Sequence, residues 1–114
     1  MRVLEIGCGP GALARAIADR LAGGSVLAID RSAKAIKQAE AQEKPGCLGF
    51  RQVAIEDFEL APGEELFDLA VAVRVGALDG RHPGAGIRAI ARIAAALKPN
   101  GRLFVDGSEV QLFR

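Results

Sequence analysis

Short apolar runs alternate along the chain with segments in which apolar residues recur every three or four positions. The runs are typical of buried strands, and they are bounded by glycine, proline or polar turn residues. They predict five strands, at Val3–Ile6, Ser25–Asp30, Phe50–Ile55, Phe67–Val75 and Arg102–Asp106.

The segments with helical spacing predict three helices between these strands. Ala12–Ala22 ends at a pair of glycines, and Ser32 is placed as the N-cap of a helix that runs to about Lys44. Ile87–Leu97 carries apolar residues on one face, whereas the glycines and the proline of Gly76–Gly86 predict a loop. Strands that alternate with helices in this way indicate an α/β fold with a mostly parallel sheet and right-handed crossovers.

Length and charge limit the kinds of function that fit. The 114 residues suit a single domain, 1–114, and a net charge of +1 gives no electrostatic signal for nucleic acid or a membrane surface. The longest stretches without charge span nine residues, too few to cross a membrane. Cys8 and Cys47 form neither a disulfide framework nor a metal-ligand pattern, so we expect reduced thiols, a cytoplasmic location and no metal site.

A glycine cluster follows the first strand, in the segment Val3–Gly11 (VLEIGCGPG). Glycines between a strand and a helix allow a tight turn and a close approach by a ligand, which then meets the N–H groups at the helix start. Gly7, Gly9 and Ala12 also fit the G-x-G-x-x-A pattern of dinucleotide-binding proteins. The cluster therefore leaves an NAD-binding oxidoreductase domain open as an alternative, although the chain has no tyrosine to donate a proton.

Acidic residues lie within or directly after the predicted strands. Glu5 interrupts a buried strand, so its carboxylate needs a cation or several donors, either from a ligand or from the glycine cluster itself. Asp30 ends the second strand, where a carboxylate can accept both ribose hydroxyls, or alternatively cap the next helix. Glu56 or Asp57 and the N–H of Ile55 are placed to bind an adenine ring, or else form a solvated turn.

These motifs resemble, in the same order, those of the class I S-adenosylmethionine-dependent methyltransferases. The similarity lies in Val3–Gly11, Val26–Asp30, Phe67–Ala72 and Leu97–Asp106 (LKPNGRLFVD), and covers nearly the whole chain. It implies a Rossmann-like three-layer sandwich with strand order 3-2-1-4-5, S-adenosylmethionine as cofactor and S-adenosylhomocysteine as product. The resemblance places the following residues around the cofactor: Glu5, Gly7, Cys8, Gly9, Gly11, Asp30, Arg31, Ile55, Glu56, Val73 and Arg74. Arg31 also suits a solvated helix face.

Two departures from the family pattern change the expectations. The acid usual at the end of the third strand falls on Ala54, so Glu56, or less readily Asp57, takes its place. The chain also stops after the fifth strand, which predicts that the usual antiparallel sixth and seventh strands are missing. An uncovered edge of this kind predicts a homodimer, and it leaves a non-catalytic cofactor-binding protein as a second alternative.

The loop after the fourth strand is the segment placed to meet a methyl acceptor. His82 is a weak candidate for a catalytic base there, with Asp79 or Arg81 orienting the acceptor, although a histidine before a proline is more often a simple loop residue. The near-neutral charge and the scarcity of aromatic residues favour a small-molecule acceptor.

Overall fold

Six strands form one sheet in the computed structural model, which describes residues 1–112. In chain order they are β1 (Arg2–Ile6), β2 (Ser25–Asp30), β3 (Leu48–Gln52), β4 (Phe67–Ala72), β5 (Leu97–Val105) and β6 (Ser108–Val110). Their order across the sheet is β3-β2-β1-β4-β5-β6, with the first five strands parallel and β6 antiparallel to β5. The predicted order of the five parallel strands is confirmed.

Three helices cover the two faces of the sheet: α1 (Ala12–Arg20), α2 (Ala33–Glu40) and α3 (Pro83–Ala96). Successive strand residues point to opposite faces, so Leu4 and Ile6 join α3 in one core while Val3 joins α1 in the other. This arrangement confirms the three-layer sandwich. No helix among the described residues is long and apolar enough to cross a membrane.

Several elements begin or end away from their predicted positions. The second helix ends at Glu40 rather than near Lys44. The third begins at Pro83, so the prediction of a loop up to Gly86 is wrong for its last four residues. Proline is tolerated in the first helical turn because its missing N–H has no partner there anyway, and the Gly86 N–H donates to the His82 carbonyl at 3.0 Å.

The fourth strand ends at Ala72 rather than Val75, and the third begins at Leu48 rather than Phe50. The third strand ends at Gln52, and Ile55 starts a single 3₁₀ turn, Ile55–Asp57. The fifth strand starts earlier, at Leu97, and takes in the predicted turn as an irregularity. The register with β4 shifts between the pairs Phe67–Leu97 and Leu69–Arg102.

The sequence-based expectation that no antiparallel strand follows the fifth is wrong. Asp106 and Gly107 have φ angles of 49° and 85° and form a two-residue hairpin turn, after which β6 pairs with Leu103–Val105. This part of the β5 edge is therefore covered, which weakens the reason for expecting a homodimer. The homodimer itself stays a prediction.

Candidate functional site

A cleft of about 450 Å³ lies at the carboxyl ends of the parallel strands. Its walls are the starts of the connections that leave β1 and β2, the 3₁₀ turn after β3, and the loop between β4 and α3. Ligands of open α/β sheets bind at this edge, where the strand order reverses between β1 and β4. The volume lies within the range of small-molecule sites, roughly 300–1,000 Å³.

The glycine loop reaches one end of the cleft through Gly7, whereas Glu5, Cys8, Gly9 and Gly11 lie outside the lining. Backbone hydrogen bonds hold the loop. The N–H groups of Gly7 and Cys8 both donate to the Ile29 carbonyl, at 2.8 and 2.9 Å. Gly7 has a φ of 72°, and a Cβ atom there would lie 2.6 Å from Cγ2 of Val75. Glycine is therefore required both for the turn and for the contact with the opposite wall. Gly9 and Gly11, with φ of 54° and 93°, complete the left-handed positions of the loop.

Asp30 links this loop to the start of α2. Its Oδ2 accepts from the Gly9 N–H at 2.9 Å, and its Oδ1 accepts from the Ser32 N–H at 2.8 Å. The N-cap of α2 is Ser32, as predicted: its hydroxyl accepts from the Ala35 N–H at 3.1 Å, and Asp30 holds the N–H of this N-cap residue rather than capping the helix itself. A carboxylate oxygen accepts more than one hydrogen bond, and Asp30 lines the cleft, so it retains capacity for ligand hydroxyl groups.

Glu5 is the buried charged residue of the described core, with 4% of its surface exposed. Its Oε1 has no hydrogen-bond partner. Burial raises the pKa of Glu5 to about 7, a backbone hydrogen bond from Ala14 opposes this rise, and the charge of Asp30 adds to it. Because a buried polar atom normally has a partner, this carboxylate calls for a cation or a further donor at the site.

Cys8 lies in the same loop but faces the core between α1 and the sheet. Burial raises the pKa of its thiol to about 12, with further contributions from the charges of Glu5 and Asp30. The thiol therefore stays protonated at neutral pH, which makes it a packing residue rather than a nucleophile. Cys8 and Cys47 are both free.

The turn after β3 forms the opposite end of the cleft. The Val53 N–H donates to the Asp30 carbonyl at 3.0 Å, which ties this turn to the end of β2. The side chain of Ile55 is buried in the core at 4% exposure. Glu56, Ile55 and Arg31 line the cleft, whereas Asp57 does not contribute to its lining.

The loop after β4 supplies the remaining wall. Arg74 lines the cleft with a left-handed backbone, φ 56°, while Val73 is 48% exposed and lies outside the lining. His82 also lines the cleft, and its N–H donates to the Gly76 carbonyl at 3.0 Å. Its ring packs against Gly76, since a Cβ atom on that glycine would lie 2.6 Å from His82 Cδ2.

Arg81 and Asp79 form an ion pair at this wall. Arg81 Nε donates to both carboxylate oxygens of Asp79, at 2.9 and 2.8 Å, and this hydrogen bond holds the pKa of the Asp79 carboxyl below its usual range. Within residues 1–112, no group of three or more histidine, cysteine or acidic side chains is placed to hold a metal ion.

Val75 and Asp106 are among the contributors to the site that the sequence interpretation missed. Val75 forms the wall that meets Gly7, and Asp106 binds the backbone of Arg74 from the end of β5. Asp106 carries the same signal that singled out Asp30, an acid directly after a strand. Val75 gives no such signal, because an apolar residue at the end of an apolar run is indistinguishable from core.

The chain belongs to a family of methyltransferase domains, whose sequence profile matches residues 3–101. Its fold is that of the S-adenosylmethionine-dependent methyltransferases among solved structures. No curated protein sequence matches the chain significantly.

Three solved structures illustrate the similarity. A methyltransferase from Methanosarcina mazei is 28% identical, with a TM-score of 0.75 and coverage of 91% of this chain and 50% of the other. The plantazolicin methyltransferase BpumL, solved with S-adenosylhomocysteine, is 19% identical (TM-score 0.74; 92% and 38% covered). The glycopeptide N-methyltransferase MtfA is 21% identical (TM-score 0.76; 91% and 45% covered). The chain thus spans half or less of the length of these three proteins.

Proposed function

We propose that this chain binds S-adenosylmethionine in the cleft and carries the cofactor site of a methyltransferase that releases S-adenosylhomocysteine. The observation that carries the proposal is the position of the cleft, between a glycine loop and a strand-end aspartate, in a chain of a methyltransferase family. Support for the cofactor also comes from BpumL, whose structure contains S-adenosylhomocysteine.

The residues of the cleft fit the chemical groups of this cofactor. The methionine part would lie along Gly7, Gly9 and Gly11, where a side chain on Gly7 would collide with Val75. The orphaned Oε1 of Glu5, behind the loop, would gain the ammonium group or a water held by it as a partner.

The nucleoside part would lie at the other end of the cleft. Asp30 would accept from the ribose hydroxyls, with Arg31 beside it. Glu56 and the backbone of Ile55 would contact the adenine ring. Arg74 would border the methionine part, and Val73 stays at the rim because it does not line the cleft.

The cofactor supplies an activated methyl group on a sulfonium centre, so transfer needs little covalent help from the protein. The residues of the cleft hold the reacting groups in line and exclude water from them. His82 is the candidate base for an acceptor that must lose a proton, because its side chain lies at the wall formed by the loop after β4.

A small molecule is the acceptor class that we propose. The near-neutral charge favours it, and among proteins of this fold BpumL is named a plantazolicin methyltransferase and MtfA a glycopeptide N-methyltransferase. The cytoplasmic location stays a prediction.

Isothermal titration calorimetry with S-adenosylhomocysteine, and with NAD in parallel, tests the cofactor assignment. We expect micromolar binding of S-adenosylhomocysteine and none of NAD. Asp30→Asn replaces one of the two carboxylate oxygens, which Gly9, Ser32 and a ribose would share as acceptors, by an amide group that donates. The affinity for S-adenosylhomocysteine should therefore fall about tenfold or more. The matched control is Asp19→Asn, which alters an exposed acid on α1.

Preferential binding of NAD would favour the oxidoreductase alternative. A folded chain that binds neither ligand would refute the proposal for this chain. Binding without methylation of any acceptor would favour the non-catalytic alternative.

A further inference from the structure

The two non-glycine residues of the described chain that adopt a left-handed backbone are hydrogen-bonded to each other. They are Arg74, with φ 56°, and Asp106, with φ 49°. An L-residue with a side chain pays a steric penalty in this region, so it stays there only where its surroundings hold it. Arg74 and Asp106 lie 32 positions apart in sequence, at the ends of neighbouring strands β4 and β5.

The peptide groups of Arg74 are held from both sides. Its N–H donates to Oδ1 of Asp106 at 2.8 Å, and its carbonyl accepts from Nη2 of Arg81 at 2.9 Å. Both holding groups are themselves fixed. The Asp106 N–H donates to the Ala72 carbonyl at 2.9 Å, and the Arg81 guanidinium is paired with Asp79.

The left-handed turn at Arg74 sets the course of the wall that faces the glycine loop. Directly after it, Val75 meets Gly7, where an added Cβ would lie 2.6 Å from Val75 Cγ2. The Val75 carbonyl then accepts from the Leu78 and Asp79 N–H groups, at 2.9 and 3.0 Å, which closes a turn along the cleft. A change in φ at Arg74 would swing this wall relative to the glycine loop.

We propose that Asp106 is a positioning residue for the methionine end of the cofactor. It acts through Arg74: its carboxylate holds the Arg74 N–H, the left-handed turn persists, and Val75 stays against Gly7. This inference rests on the proposed cofactor site, and it assigns a role to the β5–β6 turn, which lies outside the cleft lining.

The test compares two ligands that share the nucleoside and differ in the amino-acid part. Asp106→Ala should weaken S-adenosylhomocysteine on the order of fivefold to tenfold, the value of one hydrogen bond to a charged acceptor at a surface. It should leave the affinity for 5′-methylthioadenosine, which lacks the amino-acid part, within about twofold, because the contacts at Asp30 and Glu56 are untouched. Calorimetry on the full chain measures both.

Two further variants separate positioning from general loosening. Asp106→Asn retains an acceptor oxygen and tolerates a left-handed backbone, so it should restore most of the affinity for S-adenosylhomocysteine. Glu109→Gln removes the acid paired with Arg102 in the same hairpin and should leave both affinities unchanged.

Three results would overturn the inference: equal weakening of both ligands in Asp106→Ala, no weakening of either, or no recovery in Asp106→Asn. Each is distinct from failure of the cofactor proposal, in which the wild-type chain itself binds no S-adenosylhomocysteine.

Discussion

Replacing Glu5 by glutamine tests whether burial disfavours the charged form of the carboxylate that lies behind the glycine loop. The pKa of Glu5 is raised from its ordinary value of 4.5 to about 7, chiefly by burial. In the folded chain Glu5 therefore keeps its proton to about pH 7, whereas in the unfolded chain it loses the proton near pH 4.5. Between these values the folded state binds more protons, so stability falls as the pH rises.

The magnitude follows from the same two pKa values. At about 1.4 kcal/mol for each pH unit between them, Glu5 lowers the free energy of unfolding by about 3 kcal/mol between about pH 4 and pH 8. Solvent screening takes little from this figure, because only 4% of Glu5 is exposed. Glutamine has no ionisable proton, so Glu5→Gln removes this pH dependence while any packing cost of the amide stays constant with pH.

Urea unfolding at several pH values measures the effect, with circular dichroism as the probe because the chain has neither tryptophan nor tyrosine. The stability of Glu5→Gln relative to wild type should rise by about 3 kcal/mol from about pH 4 to pH 8, a midpoint change on the order of 1–3 M urea. The control Glu40→Gln changes an exposed acid on α2 and should follow the wild-type profile. Parallel profiles for Glu5→Gln and wild type would refute the reasoning.

Two further substitutions test the packing and charge assignments. Gly7→Ala forces a Cβ atom to 2.6 Å from Val75 at a φ of 72°, so it should lower the free energy of unfolding, measured with urea, by about 1–3 kcal/mol. The control Gly46→Ala has open space around it and should lower it by less than about 1 kcal/mol. Equal losses in the two variants would contradict the contact. Glu64 accepts two hydrogen bonds from Arg51, which lower the pKa of its carboxyl group. Its contribution to the free energy of unfolding should therefore be present above pH 4.5 and lost as the pH falls. Glu64→Gln should therefore cost about 1 kcal/mol near pH 7 and progressively less under acid conditions, and a loss that is constant with pH would argue against this ion pair.

The hydrophobic pattern predicted the order of elements because the central strands β1 and β2 are buried on both faces and each helix on one. β1 and β2 are almost wholly buried, and apart from Glu5 their interior residues are apolar. β6 escaped prediction because Ser108–Val110 has one apolar residue in three positions. The local signal for it was Asp106-Gly107, a favoured pair for a hairpin turn.

Site residues were predictable from the sequence where each lies directly after its own strand. The positions of Asp30 and the glycine loop after their strands identify them in the sequence. In the structure they are joined by the hydrogen bond from the Gly9 N–H to Asp30. Arg74 and Asp106 could not be paired in this way. Their contact depends on the register of β4 with β5, where Ala72 pairs with Val105, and a single sequence does not contain that register.

The amino and carboxyl ends of the strands differ in how fully their polar groups are hydrogen-bonded and in backbone strain, and this difference supports the position proposed for the site. At the amino ends, Asp68 accepts from the Arg2 N–H and from Lys98, and Arg2 also contacts Glu64 and Ser25. The carboxyl ends instead carry the orphaned Glu5 oxygen and a left-handed Arg74.

Features that cost stability persist where another constraint acts on them. The polar contacts at the amino ends of the strands therefore stabilise the fold. The strained and unpaired groups at the carboxyl ends are what we expect of a ligand-binding edge. A ligand with a cationic group near Glu5 would remove the largest destabilising contribution there, the buried carboxylate without a partner. By this argument S-adenosylhomocysteine should stabilise wild type more than Glu5→Gln at neutral pH, because only the carboxylate gains from a cation.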